Sequence, residues 1–168
     1  MIAKKLVLQG PTQVASSFKA AFPIAAVVLG VWSSFPDVGE LLMAHMYTKC
    51  PYTVPFYIPK TKEISTPEYC KLVGYTVDGE EVESEDKYLK KLSGVIRLYA
   101  AIISSDIPPA FGNKARPHGL EHGWAWLTRV LNMEPRPVTA TIVFDFLEVL
   151  MICYLLVLPL VIETDDAL

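Results

Sequence analysis

The pattern that most constrains the fold is an amphipathic helix in the middle of the chain. Its apolar residues recur at the spacing of one helix face: Tyr88, Leu92, Val95, Ile96, Tyr99 and Ile103. Ser84 stands at the N-cap position, and Glu85 and Asp86 place negative charge at the positive end of the helix dipole. The basic residues of this helix are predicted to face mostly outward: Lys87, Lys90, Lys91 and Arg97. The apolar stripe has to be covered by other elements.

Helical spacing predicts further helices on both sides of this one. They cover about residues 17–34, 36–49, 66–73, 120–133 and a last segment that starts at Pro137. Thr66 is the expected N-cap of the third, Gly74 its end, and Gly10–Pro11 a break in the chain. Apart from a brief hairpin near residues 75–82, no strand pattern is present. The sequence therefore predicts an all-α fold of antiparallel helix pairs, stacked as a solenoid or bundle.

Two histidines and two tryptophans fall within residues 116–127, beside the helix breakers Pro117 and Gly119. The apolar residues that follow are four, three and four positions apart: Leu120, Trp124, Leu127 and Leu131. Because this spacing keeps them on one helix face, we predict that they form a core face. The segment is interpreted as a packed helical junction.

Bulk composition favours one globular domain. The 168 residues are 52% hydrophobic and 20% charged, and the net charge of −3 gives no general attraction to nucleic acid or anionic membrane. Cys50, Cys70 and Cys153 form no CxxC pair, which predicts reduced thiols in a nuclear or cytosolic protein. No secretory signal peptide is expected.

Two uncharged runs, residues 20–36 and 149–162, are the candidates for membrane spans. Both are shorter than the roughly 18–20 residues that a spanning helix needs, so a buried helix is favoured for each. The second run keeps a membrane-associated protein as an alternative.

No catalytic motif is evident. His118 and His122 lie four residues apart, but Gly119 follows His118 where the zinc-protease pattern needs Glu. We expect these histidines to bond backbone or neighbouring groups, with a metalloenzyme as a minor alternative. GxSxG, P-loop and GxGxxG patterns do not occur. The expectation is a protein that is not an enzyme, with no metal.

Charged residues suggest two surfaces. The acidic run at residues 78–86 is interpreted as a solvated loop, with a surface for a basic partner as the alternative. Five lysines would bind a polyphosphate if the fold brought them together: Lys4, Lys5, Lys49, Lys90 and Lys91. Spacing alone leaves open whether they converge or lie on a solvated face.

Five motifs occur in an order that resembles a known family. They are CPYTVPFY (50–57), LVGY (72–75), LSGVIRLYAAI (92–102), PHGL through WAWL (117–127) and FLEV (146–149). In this order they resemble the C-terminal domain of the Gle-one family of mRNA export factors, over roughly residues 3–149. The resemblance implies an all-helical, HEAT-repeat-like solenoid similar to the middle domain of translation initiation factor four-G.

The resemblance also implies a function. Family members are non-catalytic activators of a DEAD-box RNA-dependent ATPase in poly(A)+ mRNA export, at the cytoplasmic face of the nuclear pore complex, in nucleus and cytoplasm. It implies other nucleoporins and translation initiation and termination factors as partners, with neither sequence-specific nucleic acid binding nor a membrane. Fungal members use inositol hexakisphosphate. Lys49, Lys90 and Lys91 fall at the expected ligand lysines, and Lys4 or Lys5 supplies another, whereas His45 stands where a fungal lysine is expected.

The chain departs from the family pattern in two places. Arg116 stands where members tend to have His, and residues 150–162 replace an expected amphipathic helix. We therefore divide the chain into a partial, truncated Gle-one-like helical domain (1–149) and a divergent apolar helix end with an acidic tail (150–168). The alternative functions are an inactive scaffold form and a membrane-associated protein anchored by this apolar helix.

Overall fold

The structure is a computed structural model that describes residues 1–111 and 118–165. The described residues form seven α-helices: α1 (Ile2–Val7), α2 (Ala21–Ser34), α3 (Pro36–Lys49), α4 (Thr66–Val73), α5 (Glu85–Ser104), α6 (Leu120–Asn132) and α7 (Pro137–Asp165). A π-helical turn and three 3₁₀ turns connect them: Gly10–Val14, Phe18–Ala20, Pro51–Thr53 and Pro109–Phe111. Strands β1 (Val77–Asp78) and β2 (Glu81–Val82) form the brief hairpin, antiparallel, with Val77 opposite Val82. The all-α, HEAT-like prediction is confirmed.

Helix α5 is the central element, as its long apolar stripe predicts. Its second half is almost fully buried, with Ile96, Leu98 and Ile102 inaccessible to solvent. Helix α2, the turn Gly10–Val14, α6 and α7 all pack against it. Gly94 permits the close approach of the turn, since a Cβ there would lie 2.1 Å from the carbonyl oxygen of Gly10. The predicted break at Gly10–Pro11 marks a change of element: α1 ends at Val7, and a π-helical turn against α5 starts at Gly10.

Only half of the predicted core face of α6 is buried: Leu120 and Leu127 pack against the core, whereas Trp124 and Leu131 do not. Trp124 and Leu131 are 66% and 64% exposed, whereas Trp126 and Val130 are 2% and 1% exposed. The Trp126 indole N–H donates a hydrogen bond of 2.8 Å to the carbonyl oxygen of Tyr52, and its ring stacks on Phe146 at 4.2 Å between centroids. Two apolar rows run along this helix. The row with Trp126 is buried, because its indole N–H can donate to a backbone carbonyl oxygen there.

An ion pair joins α5 to α7 inside the structure. Nη2 of Arg97 lies 2.8 Å from Oδ1 of Asp145 and 3.1 Å from Oε2 of Glu148. Asp145 is only 2% exposed. Arg97 does not face outward as predicted: its side chain is only 21% exposed, because it pairs with the buried carboxylate of Asp145.

Several helix boundaries differ from the prediction by a few residues. The N-cap of α4 is Ser65, not Thr66: Ser65 Oγ accepts from Glu68 N at 3.4 Å, and Glu68 Oε2 accepts from Ser65 N at 3.1 Å. This reciprocal capping box displaces the start by one residue. Helix α2 starts at Ala21 rather than near residue 17, since a 3₁₀ turn precedes it. Gly74 ends α4 as predicted, with a φ of +106°.

Helix α7 is longer than the apolar run of residues 149–162. It continues without a break past Val149, and its segment Pro137–Leu155 is the one stretch of the described residues long and apolar enough to cross a membrane. Only 28% of that segment is buried within the chain. Its buried side, with Ile142, Phe146 and Val149, packs in the core, and its two carboxylates pair with α5.

Candidate anion-binding site

Two neighbouring cavities bring lysines from three helices together. The first, of about 580 Å³, is lined by Lys49, Lys71 and Lys91, with Thr76 of the segment before β1. The second, of about 460 Å³, is lined by Lys87, Lys90 and Lys91, with Glu83. The two cavities share Lys91 and the turn residues Pro11 and Thr12. Lys91 therefore stands at their junction.

Helix ends position two of the three lysines of the first cavity. Lys49 is the last residue of α3 and Lys71 lies in the last turn of α4. Gly74 brings the two ends together: its left-handed conformation terminates α4, and a Cβ there would lie 3.3 Å from the Lys49 carbonyl oxygen. The short connection from Gly74 then leads into the hairpin that forms another wall.

Lys91 is held in a small polar network. Its Nζ donates to Thr76 Oγ1 at 2.7 Å and to the carboxylate of Glu83. The Thr76 backbone N–H also donates to Glu83 Oε1, at 2.7 Å. Burial raises the pKa of Glu83, but the hydrogen bonds from Lys91 and Thr76 outweigh it and hold that pKa below its usual range. Glu83 is therefore ionised at neutral pH.

The charge of this region suits a polyanion. Five lysines line the two cavities against the single carboxylate of Glu83. Ammonium groups around phosphates form charge-assisted hydrogen bonds, which are stronger than neutral ones and weaken as salt concentration rises. Tyr75 and Tyr88, stacked at 3.7 Å between ring centroids, line the first cavity and give it a rigid wall. The arrangement can bind several phosphate groups of one ligand at once.

The structure brings together three of the five lysines named from the sequence. Lys49, Lys90 and Lys91 line the cavities, whereas Lys4 and Lys5 are exposed on α1 and line neither. Sequence reasoning missed Lys71 and Lys87. Lys87 could have been found, because it lies three and four positions before Lys90 and Lys91 on the same helix. Nothing in the sequence shows that Lys71, on another helix, reaches the same cavity.

The histidine pair is a packed ring cluster. The rings of His118 and His122 stack at 3.7 Å between centroids, and His118 also stacks on Trp32 at 5.7 Å. Burial and the neighbouring His122 lower the pKa of His118 from 6.5 to about 4. Among the described residues no group of three or more metal-ligating side chains occurs. Arg116 and Pro117, named in the sequence analysis, lie outside the described residues.

The three cysteines are free thiols. Cys50 is buried, which raises the pKa of its thiol to about 12, and Cys70 and Cys153 are partly buried. Their thiol state agrees with the expectation from the sequence.

Sequence comparison identifies relatives that cover most of the chain. The sequence model of the family described as GLE1-like protein matches residues 1–154. The mRNA export factor GLE1 of Mus musculus is 52% identical over 149 residues, which is 88% of this chain and 21% of that protein. The Drosophila melanogaster and Saccharomyces cerevisiae factors are 38% and 29% identical, over 89% and 83% of this chain and 22% and 26% of their own length. The chain thus spans about a quarter or less of these relatives.

Solved structures share the fold. A chain in a structure of a variant S. cerevisiae Dbp5 C-terminal domain bound to Gle1 and IP6 has a TM-score of 0.80 and 24% identity. A chain in a second structure, with a Gle1 variant, has a TM-score of 0.79 and 26% identity. Each match covers 92% of this chain and 52% of the other.

Proposed function

The chain belongs to the GLE1-like protein family, and from that premise we propose that it is a non-catalytic activator of a DEAD-box RNA-dependent ATPase in mRNA export. Relatives that carry the name mRNA export factor match most of its length. Structures with the same fold contain a Dbp5 C-terminal domain and IP6. The proposal extends to the cytoplasmic face of the nuclear pore complex, with other nucleoporins and translation initiation and termination factors as further partners.

Inositol hexakisphosphate is the ligand that we propose for the basic cavities. The observation that carries this proposal is the convergence of Lys49, Lys90 and Lys91 on two joined cavities. Lys71 and Lys87 add two more ammonium groups. Because the two cavities share Lys91, one ligand with six phosphates can contact both. Lys4 and Lys5 stay in the proposal only as an outer source of positive charge.

A shared ligand explains how the ATPase would be held. Both cavities open to solvent, so phosphates that do not contact the lysines of this chain remain accessible. Basic groups of the ATPase can bind those phosphates, and the ligand then joins two surfaces that would otherwise repel each other. Such bridging contacts strengthen association and make it sensitive to salt.

The test is RNA-stimulated ATP hydrolysis by the DEAD-box partner, measured with and without the chain and inositol hexakisphosphate. The chain should raise the rate, and the ligand should raise it further. Replacing Lys90 and Lys91 with Gln should remove the gain from the ligand, whereas Lys62→Gln, at an exposed position outside the cavities, should not. No stimulation at saturating chain, with or without the ligand, would overturn the proposed activity.

A pull-down separates an activator from a scaffold. Capture of the ATPase without stimulation would identify the chain as an inactive scaffold form. The boundary between a family domain (1–149) and a divergent end (150–168) stays part of the proposal, and the family match reaches residue 154.

Membrane association is the second candidate, because Pro137–Leu155 is long and apolar enough to span. The ion pairs of Asp145 and Glu148 with Arg97 weigh against it, since a spanning α7 would have to carry them into lipid or break them. Alkaline carbonate extraction of cell membranes decides the question. A chain released completely into the soluble fraction excludes the anchor.

A further inference from the structure

Glu83 occupies donors that a phosphate would use. Its carboxylate accepts hydrogen bonds from the Lys91 ammonium and, at 2.7 Å, from the Thr76 backbone N–H. The side chain of Glu83 is only 12% exposed, so the carboxylate is held within the structure instead of being solvated. The carboxylate of Glu83 therefore occupies this corner of the basic region.

Glu83 differs in this respect from the other acids of its segment. Six carboxylates lie in residues 78–86, and only that of Glu83 lines either cavity. Asp78 and Glu81 pair through their backbones in the hairpin, and both side chains are exposed. The acidic run is therefore mostly solvated, as predicted, and only Glu83 is turned toward the lysines.

The contacts of Glu83 imitate those of a bound phosphate oxygen. One ammonium group and one backbone N–H converge on a single carboxylate oxygen, which is a common arrangement at anion sites. The Thr76 hydroxyl stands beside them and contacts the same ammonium group at 2.7 Å. If the carboxylate leaves, three polar groups of this chain become available to a ligand at one point.

We propose that Glu83 is an internal competitor for the phosphate ligand, whose carboxylate must leave Lys91 and the Thr76 N–H before a phosphate binds there. This inference rests on the proposed function, since it concerns the same site. It adds Thr76 to the ligand-binding residues, through a backbone donor that no count of lysines reveals. It also gives the β1–β2 hairpin a role as the element that sets affinity.

Competition of this kind selects for ligands with many phosphates. A single inorganic phosphate would exchange one anion for another at Lys91 and gain little. A hexakisphosphate also reaches Lys49, Lys71 and Lys90, so the added contacts offset the loss of Glu83. The site should therefore discriminate strongly between the two ligands.

The test is calorimetric titration of the whole chain with inositol hexakisphosphate, for the wild type and for two single variants. Glu83→Gln keeps the size of the side chain and its acceptor for Thr76 but removes the charge. Glu81→Gln makes the same change in net charge on the same hairpin, at an exposed position outside both cavities. The E83Q chain should bind the ligand about two- to fivefold more tightly than the E81Q chain, the effect expected for removing one partly exposed charge pair.

The outcomes separate this inference from the proposed function. If the wild type binds the ligand and E83Q binds no more tightly than E81Q, the competitor role is overturned, but the proposed ligand is retained. If none of the three chains binds, both are overturned. Binding by E83Q alone supports the competitor role. Should E83Q fail to fold, the amide resonance of Thr76 in the wild type decides, since saturating ligand should move it and an unmoved resonance contradicts the displacement.

Discussion

The two tryptophans of α6 provide a direct test of how this helix packs. They are two residues apart on one helix, yet Trp126 is 2% exposed and Trp124 is 66% exposed. Trp126→Ala removes a buried indole that stacks on Phe146 and donates to the Tyr52 carbonyl oxygen. We expect a loss of about 3–5 kcal/mol in the free energy of unfolding, the usual range for deleting a buried aromatic side chain.

Two companion variants divide this loss into its parts. Trp126→Phe keeps most of the ring but leaves the Tyr52 carbonyl without its indole donor, so we expect a smaller loss of about 1–3 kcal/mol. Trp124→Ala removes the same residue type from the exposed row, where substitutions usually change stability by no more than about 0.5 kcal/mol. The contrast between positions tests the packing, because the chemical change is identical.

Urea unfolding followed by circular dichroism measures these differences. The midpoint should fall markedly for W126A, moderately for W126F and hardly at all for W124A, with similar slopes for all chains. Because a domain of this size typically has only about 5–15 kcal/mol of stability, W126A should be close to its folding limit. A W124A chain that loses as much stability as W126A would refute the assignment of the buried face.

Two further predictions concern charged groups. Asp145→Asn should destabilise the chain by about 1–3 kcal/mol in urea unfolding, because it removes the buried charge nearest to Arg97 while Glu148 remains paired. A change within about 0.5 kcal/mol would show that the pair is solvated. His118 has a pKa of about 4 in the folded chain against 6.5 ordinarily. Since the unfolded chain binds the extra proton, stability should fall by up to about 3 kcal/mol as pH drops from 6.5 to 4. His118→Gln should flatten the pH dependence of the free energy of unfolding in this range. An unchanged slope would show that other groups cause this pH dependence.

Local signals predicted the helices well. Pro36 at the first turn of α3, the acids at the start of α5 and Gly74 at the end of α4 all stand where the structure has them. These signals act within one turn of the chain, so neighbouring residues suffice to determine them. The one-residue error at Thr66 has the same origin, since Ser65 and Thr66 are both good caps and only the bond to Glu68 decides between them.

Contacts between distant segments could not be predicted from the spacing of residues within one helix. Helix α6 offers two apolar rows, and the acceptor that selects Trp126 comes from Tyr52, far away in the sequence. Arg97 turns inward because Asp145 meets it from another helix. Likewise Lys71 joins Lys49 and Lys91 through the folding of α4 against the end of α3. Each case depends on a long-range partner, which periodicity within one segment does not contain.

The central claim is that the lysine cavities hold a ligand that joins this chain to a DEAD-box ATPase. Its most direct test is the affinity of the chain for the C-terminal domain of such an ATPase, measured with and without inositol hexakisphosphate. The wild type should bind more tightly when the ligand is present, and a chain with Lys49→Gln and Lys91→Gln should lose that gain. An equal gain in affinity in both chains, or no gain in the wild type, would contradict the claim that the lysine cavities hold the joining ligand.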